Sequence, residues 1–337
     1  RTAARIHSFA QAQRQIFQDQ TIPIQGGQAG WRFHPVQRAG CYAPGGRFPL
    51  PSSVLMTAVT ARAAGVSEIW VASPSPGDLV LAAAAVAGAD NLLAAGGAQA
   101  IAALAYGTVL VPPCDVVVGP GNRFVTAAKQ LVSGQVGIDM LAGPSELLIL
   151  ADKTACAATI AADLLAQAEH DPDAVPLLIT TAAELVSAVN LELGRQLAEL
   201  PTAILARQAL ANGGAVLVGD LSEGIEVCES LAPEHLELMV EDWQKVAARL
   251  TRFGALFLGE RSAEVFGDYG AGPNHVLPTG GTARFTGGLS VQNFLVGRSW
   301  LQMGTGPEAD AIAEDAVALA RLEGLEAHAR SAARRLG

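Results

Sequence analysis

The sequence predicts an α/β fold: two Rossmann-like domains with twisted, mainly parallel sheets flanked by helices, plus a small C-terminal helical extension. The chain has 337 residues, more than one hydrophobic core usually supports, which favours two domains. Hydrophobic residues make up 50% and charged residues 16%, with 36 glycines, which indicates a folded protein with many tight turns. Short apolar runs also alternate with alanine-rich helical ones, as they do in parallel sheets.

The first series of elements follows a predicted N-terminal helix in residues 1–20, where Ile6, Phe9 and Phe17 have roughly helical spacing. Between residues 40 and 143, the strand-like runs SEIWVAS, NLLAAGG and DVVVG alternate with the helical runs LVLAAAAVAGA and AQAIAALAY. A further helix is predicted from Asn122 to about Ser133. This alternation predicts one α/β domain over residues 40–145.

A second series lies in residues 146–290. Strands are predicted at ELLILAD, PLLIT, AVLVGD and ALFLGE, with one helix ending near Gln167 and His170 and another over 182–200. We expect residues 1–39 and 146–290 to form one domain, into which residues 40–145 are inserted. Residues 291–337 are predicted to be a C-terminal segment, whose helices over 307–335 are interrupted at Gly324.

Charge and cysteine content restrict the expected partners and compartment. A net charge of -10 leaves no sequence-wide basic field, so neither nucleic acid nor an anionic membrane is expected as a partner. The 4 cysteines lie far apart without a CxxC pair, which indicates reduced thiols in a cytoplasmic protein. The N-terminus lacks a signal-peptide pattern, so export is not expected, and the missing initial methionine indicates a fragment or a processed start.

Gln167 and His170 form the first candidate site, three residues apart in LLAQAEHDPDA. Residues at i and i+3 of a helix lie about 5 to 6 Å apart, so an amide oxygen and an imidazole nitrogen can meet on one ion. The alternative is a helix-end histidine satisfied by hydrogen bonds. Partners elsewhere in the chain decide between the two.

Glu234 and His235 form the second candidate site, in APEHLEL. Pro233 is tolerated at a helix start, so we expect both side chains to project from the first turn of a helix. A histidine titrates near neutral pH and burial raises the pKa of a glutamate, so the pair can serve two proton transfers. The alternative is a glutamate that favours the helix dipole, beside an incidental histidine.

Two further segments offer ligands. GDYGAGPNH is a turn-rich loop that contains Asp268 and His275; the alternative is an Asx turn with a surface histidine. EGLEAH contains Glu323 and His328, for which the alternative is an exposed helix face. Oxygens from Gln167 and Asp268 with nitrogens from His170 and His328 form a donor set that suits zinc. His275 has no assigned role.

A cofactor site is one interpretation of DVVVGPGNRF, in which a glycine-rich turn joins a strand to a helix at Asn122. Backbone amides at such a helix start can bind a pyrophosphate. The motif is not GxGxxG, and no acidic ribose partner can be placed. Plain turn geometry is the equally good alternative.

The ordered motifs resemble those of the histidinol dehydrogenase family across nearly the whole chain. They are CYAPGG, GGAQAIAALAYGT, VVVGPGNRFVTAAK, IDMLAGPSELLI, LLAQAEHDPDA, APEHLEL, GDYGAGPNHVLPT and EGLEAHA. The resemblance implies oxidation of L-histidinol to L-histidine through the aldehyde, with two hydride transfers to two NAD molecules. Relative to the family, a segment before residue 1 is missing and residues 134–139 form a shorter segment, which we expect to be a surface turn.

The resemblance also implies residue roles. Glu234 and His235 match the catalytic pair, in which His235 takes the hydroxyl proton and Glu234 then activates water. Zinc and NAD are the implied cofactors, and the NAD contacts fall in the inserted domain. A homodimer with shared active sites is implied, in which the C-terminal segment reaches the partner. The implied zinc ligands are Gln167, His170, Asp268 and His328; the substrate contacts are these four with Ser145, His235 and Glu323; the NAD contacts are Tyr42, Gln99 and Asn122.

Two alternatives remain at this stage. A zinc hydrolase would use Glu234 to activate a metal-bound water and would need no nicotinamide. A binding protein that has lost activity would keep the fold, but it has no need of two adjacent proton-transfer groups such as Glu234 and His235.

Overall fold

The computed structural model of the protein describes residues 1–45 and 49–337. Its contacts divide the chain into two compact units. The first unit consists of Arg1–Gln13 and Val36–Phe294, and the second of Arg14–Pro35 and Leu295–Gly337. Gly46, the last residue of the CYAPGG motif, lies outside the described residues. No helix within the described ranges is both long and apolar enough to cross a membrane.

Strands and helices alternate along much of the described chain, which confirms the predicted α/β class. The strands are β1 (Gln20–Ile24), β2 (Gly27–Pro35), β3 (Arg38–Tyr42), β4 (Glu68–Ala72), β5 (Asn91–Leu93), β6 (Val116–Val118), β7 (Gly137–Ile138), β8 (Glu146–Ala151), β9 (Val175–Thr180), β10 (Gly214–Leu217), β11 (His235–Met239), β12 (Ala255–Leu258) and β13 (Leu295–Met303). The helices are α1 (Thr2–Arg14), α2 (Pro51–Ala64), α3 (Asp78–Ala87), α4 (Gly97–Tyr106), α5 (Arg123–Val132), α6 (Ala157–Ala168), α7 (Ala183–Glu199), α8 (Ala203–Leu210), α9 (Leu221–Leu231), α10 (Trp243–Ala247), α11 (Glu264–Asp268), α12 (Pro307–Leu322) and α13 (Glu326–Ala333).

The first parallel sheet has the strand order β5-β4-β3-β6-β7 and lies in the first unit. Its earliest strand, β3, lies in the middle, with β4 and β5 on one side and β6 and β7 on the other. Ile101 and Leu104 of α4 are fully buried and pack in one core cluster with Val117 of β6. Gly40 of β3 permits this contact, because an added Cβ would lie 2.9 Å from Leu104 Cδ1. The strands and helices predicted for this region are confirmed.

The second parallel sheet has the order β10-β9-β8-β11-β12 and belongs to the same unit. Its earliest strand, β8, again lies in the middle. Leu148 and Leu150 of β8 pack in one apolar cluster, whereas Leu147 and Ile149 pack in another. Because helices cover both faces, the strand is a continuous apolar run rather than an alternating one. The four strands predicted here are confirmed, and β11 is an additional one.

The second unit contains an antiparallel sheet of order β1-β2-β13, which the sequence analysis did not predict. Most side chains of these strands are exposed, so apolar and polar residues do not alternate in the way that identifies a half-buried strand. The helices α12 and α13 also belong to this unit and are separated at Gly324, whose φ is +75°. The predicted interruption at Gly324 is therefore confirmed. The division into an inserted and a surrounding domain stays a prediction.

Two local predictions around the candidate site were wrong, and a third was confirmed: α6 ends at Ala168, close to Gln167 and His170 as expected. Glu234 and His235 do not open a helix: α9 ends at Leu231, and His235 begins β11, because HLELM is a fully buried parallel strand between β8 and β12. Asp268 ends the short helix α11 instead of lying in a loop.

Candidate active site

The candidate catalytic residues meet where β8 and β11 begin. These two parallel strands are neighbours, with His235 paired to Leu147, so Glu146 and Glu234 lie side by side at the amino edge of the second sheet. The crossover helix α6 connects β8 to β9 and therefore returns toward that same edge. Its C-terminal end places Gln167 and His170 there. The fold thus brings distant motifs together through ordinary β-α-β geometry.

Glu234 has a buried carboxyl group that accepts hydrogen bonds from two donors. Its Oε2 accepts hydrogen bonds from Ser145 Oγ at 2.6 Å and from the Glu146 amide at 2.9 Å. Burial raises the pKa of Glu234 to about 7, although the nearby His235 and these hydrogen bonds oppose the rise. A carboxyl group with a pKa near neutral can exchange a proton at physiological pH.

His235 is oriented by the backbone of β8. Its Nδ1 lies 3.1 Å from the carbonyl oxygen of Glu146 and 3.6 Å from Glu234 Oε2. Donation from Nδ1 to that carbonyl leaves Nε2 unprotonated and able to act as a base. Burial opposes the charged ring, but the charges of Glu234, Glu264 and Asp268 outweigh it and raise the pKa of His235 above its usual value.

A cluster of metal-ligating groups lies beside this pair in the first unit. His170 Nε2 is 3.2 Å from Glu264 Oε1 and 3.3 Å from Asp268 Oδ2, and the three residues offer ligand atoms within 4.8 Å of one another. Partial desolvation opposes the charged ring, but hydrogen bonds that the ring donates to Asp268 and Glu264 raise the pKa of His170 to about 10. A metal ligand must be neutral imidazole, so a bound cation takes the place of that proton.

Gln167 fits a metal site because its amide group has no partner in the structure. The residue is 0% exposed, and neither Oε1 nor Nε2 has a hydrogen-bond partner among the described residues. Native proteins rarely leave a buried amide unpaired, since its desolvation costs about 1 to 3 kcal/mol. A zinc ion bound by Gln167, His170 and Asp268 would give the amide oxygen a partner, and these nitrogen and oxygen donors suit that ion.

Glu264 is the residue that the sequence analysis missed. It is the first residue of α11 and lies four positions before Asp268, so both side chains occupy one face of that helix. The sequence signal was this spacing in AEVFGDYG, which is visible only once the segment is known to be helical. Its Oε2 is buried without a hydrogen-bond partner.

Two more buried carboxyl groups lie behind Glu264. Glu237 Oε1 accepts a hydrogen bond of 2.7 Å from the Glu264 amide, and Glu237 also contacts Asp163 of α6. Burial raises the pKa of Glu237 to about 9 and that of Asp163 to about 6. Glu237 is therefore protonated near neutral pH, which lowers the cost of burying the two carboxyl groups together.

The predicted NAD contacts lie at the first sheet. Tyr42 is the last residue of β3, and its hydroxyl oxygen accepts a 3.1 Å hydrogen bond from the Gly97 amide at the start of α4. Gln99 is exposed in the first turn of α4. Asn122 caps α5, where its Oδ1 accepts hydrogen bonds from the amides of Phe124 and Val125. All three lie near carboxyl ends of strands.

Other predicted residues keep separate positions. Glu323 and His328 belong to the second unit, at the end of α12 and within α13, and both line a shallow pocket with Leu319 and Leu325. Their roles in zinc and substrate binding stay predictions. His275 is partly buried in the first unit, and its Nδ1 lies 3.1 Å from the Asp268 carbonyl oxygen.

Comparisons with known proteins agree with one another. The family model for histidinol dehydrogenase matches residues 1–336. The curated histidinol dehydrogenase of Thermus thermophilus is 54% identical over 309 residues, 91% of this chain and 74% of its own length. A crystal structure of histidinol dehydrogenase from Elizabethkingia anophelis is 35% identical, with a TM-score of 0.93, and the match covers 99% of this chain and 78% of that one. An acetylating aldehyde dehydrogenase from Geobacillus thermoglucosidasius, 15% identical with a TM-score of 0.60 over 91% of this chain and 83% of that one, shares the fold.

Proposed function

The chain belongs to the histidinol dehydrogenase family, and from this premise we propose that it oxidises L-histidinol to L-histidine through L-histidinal, with two molecules of NAD. The protein is an oxidoreductase, and its family implies a place in histidine biosynthesis. The observation that supports the finer proposal is the Glu234 and His235 pair: two buried proton-transfer groups whose Nδ1 and Oε2 atoms lie 3.6 Å apart.

His235 serves the first oxidation. Its Nε2 would take the hydroxyl proton of the substrate, and NAD, when bound, would supply the hydride acceptor. The Glu146 carbonyl fixes the ring through Nδ1, 3.1 Å away, which keeps the basic nitrogen directed away from the strand. Glu234 lies close enough to stabilise the positive charge that the ring gains.

Glu234 serves the second oxidation. Its carboxylate takes a proton from the water that adds to the aldehyde, which gives the hydrate that is oxidised next. A pKa near 7 leaves a substantial carboxylate fraction at neutral pH. Ser145 and the Glu146 amide hold Oε2, so Oε1 is the oxygen available to water.

The proposed zinc ligands and substrate contacts are the residues that the family resemblance implies. Gln167, His170 and Asp268 of the first unit, with His328, would hold zinc, which when bound would orient the substrate's imidazole and amine. These four residues with Ser145, His235 and Glu323 would contact the substrate. Holding the substrate in a reactive orientation makes a bimolecular step effectively unimolecular, and this accounts for a large share of the rate enhancement of many enzymes.

Tyr42, Gln99 and Asn122 would contact NAD. Strand order in the first sheet reverses between β3 and β6, and ligands of α/β sheets bind at the carboxyl ends of strands at such a point. Tyr42 ends β3, and Asn122 follows β6. The N-termini of α4 and α5 direct backbone amides toward this edge, where a pyrophosphate would bind.

Assembly and location complete the proposal. We propose a cytoplasmic homodimer with shared active sites, in which Glu323 and His328 act in the partner's site. Histidinol and a second copy of the chain are its partners. An active monomer in sedimentation experiments would exclude the shared site.

The yield of NADH per histidinol tests the function against the zinc-hydrolase alternative. We expect two NADH for each histidinol consumed, followed by absorbance, together with one zinc per chain by metal analysis. Zinc-dependent hydrolysis without NADH would overturn the proposal in favour of a hydrolase that uses Glu234 as its base. Absence of both activities with metal bound would indicate a binding protein.

A further inference from the structure

We propose that Glu264 is a ligand of the metal ion in the substrate-free protein, where it completes a three-residue centre with His170 and Asp268. The inference rests on the proposed function, because it assumes a divalent metal ion at this site. It adds a second carboxylate to the ligands that the sequence analysis assigned, and all three residues belong to the first unit.

The distances match those between ligands of one ion. Glu264 Oε1 and Asp268 Oδ2 lie 3.2 and 3.3 Å from the same atom, His170 Nε2. Zinc binds nitrogen and oxygen at about 2.0 to 2.2 Å, which in a tetrahedral shell separates neighbouring ligand atoms by about 3.3 to 3.6 Å. Two carboxylate oxygens converge on one imidazole nitrogen, which is the arrangement that a shared cation requires.

Unsatisfied buried atoms point to a cation independently of these distances. Glu264 is 1% exposed, and its Oε2 has no hydrogen-bond partner. The Gln167 amide, three residues before His170 on the helix that packs against α11, is also buried and unpartnered. A single ion could bind Gln167 through Oε1 and the Glu264 carboxylate through one or both oxygens, and hydrogen bonds within the described chain do not supply these contacts.

Charge balance favours the same conclusion. Glu264 and Asp268 together bring two negative charges to His170, and their ion pairs within the described ranges are with histidines rather than lysine or arginine. A buried charge without a partner is costly. One divalent cation would neutralise both carboxylates.

The position of Glu264 is fixed by the strand that carries the catalytic histidine. Glu237 lies two residues after His235 on β11, and its Oε1 accepts the 2.7 Å hydrogen bond from the Glu264 amide. That amide is one of the free donors at the start of α11. Glu237 therefore connects the start of α11 to β11 and fixes the backbone from which the Glu264 side chain projects.

Metal titration of Glu264→Leu tests the proposal without substrate. Leucine cannot bind a metal, and Asp268 remains as a partner of His170, so the metal-free variant should still fold, which its Tm checks. We expect Zn²⁺ affinity, measured by chelator competition, to fall more than about 100-fold, beyond the 10- to 100-fold typical of residues that only support a ligand. Glu264→Gln, which keeps the shape, should show a smaller loss of affinity.

The absorption spectrum of bound Co²⁺ decides whether Glu264 touches the ion. We expect Glu264→Leu to change the visible Co²⁺ bands at saturating metal, whereas the exposed control Glu260→Leu should leave them and the affinity unchanged. Co²⁺ bands in Glu264→Leu that match the wild type would overturn the inference, whatever the affinity. A wild-type protein that takes up neither ion would instead overturn the metal site of the proposed function.

Discussion

The two parallel sheets of the first unit hold their candidate residues at opposite edges. In the first sheet, Tyr42 ends β3 and Asn122 follows β6, both at carboxyl ends of strands. In the second sheet, Ser145 precedes β8 and His235 begins β11, at amino ends. Both sheets place their earliest strand in the middle, so strand order alone does not determine which edge becomes functional.

The direction of the helix dipoles explains which kind of ligand each sheet edge can bind. Helices begin at the carboxyl edge of a parallel sheet, where α4 and α5 present the positive ends of their dipoles to an anion. Crossover helices end at the amino edge, where the negative end of α6 favours a cation beside Gln167 and His170. The first sheet therefore suits a phosphate cofactor, and the second suits a metal ion with ionisable catalytic groups.

The largest expected effect is at the amino edge, in His235→Asn. Loss of a positioned base should lower the rate of the first oxidation by about 10²- to 10⁴-fold. Single-turnover NADH formation from histidinol measures this step. His34→Asn, an exposed histidine of β2, is the matched control and should retain the wild-type rate. A rate within tenfold of the wild type would remove His235 as the base.

Next in size is the loss of metal from His170→Ala. Removing the nitrogen to which both carboxylates point should lower zinc affinity by more than about 100-fold. Metal analysis after dialysis against a weak chelator measures the occupancy. Asn122→Ala at the opposite edge should keep its zinc. Full retention by His170→Ala would show that the histidine is not a ligand.

The pH dependence of the second oxidation should follow Glu234. Its pKa is raised to about 7, and the base must be ionised, so activity is lost as pH falls through that value. The rate from histidinal should therefore fall about tenfold between pH 8 and pH 6. Glu234→Gln should lack this limb of the profile. An identical profile in that variant would assign the titration to another group.

The smallest effect is expected at the carboxyl edge, in Tyr42→Phe. The change removes the hydroxyl that accepts the hydrogen bond from the Gly97 amide, while the rest of the ring stays packed. Loss of this one hydrogen bond should reduce the free energy that holds the start of α4 in place by about 0.5 to 1.5 kcal/mol. We expect KM for NAD to rise about 2- to 10-fold, with zinc content unchanged. Loss of zinc in Tyr42→Phe would contradict the separation of the two edges.

The sequence was sufficient for most strands of the two parallel sheets, because these strands are short apolar runs bounded by turn residues, but β3, β7 and β11 were not predicted. It also identified Gln167 and His170, since polar side chains at the end of an alanine-rich helix are conspicuous. It failed at His235, where Pro233 before two polar residues resembles a helix start although HLELM pairs as a buried strand. Strand pairing is a non-local property that five residues do not reveal.

Glu264 was missed for a different reason. Its role depends on a five-residue helix, too short for a periodic pattern, and on a hydrogen bond from its amide to Glu237, 27 residues away. The antiparallel sheet was missed because its mostly exposed strands lack a hydrophobic period. In both cases the deciding contacts are long-range.

The most direct test compares His235→Asn and Glu234→Gln on both substrates. NADH formation is followed in single turnovers, from histidinol for the first oxidation and from histidinal for the second. We predict a crossed result: His235→Asn mainly slows the first oxidation, and Glu234→Gln mainly slows the second. Equal losses in both oxidations from either variant would contradict the assignment of one proton transfer to each residue.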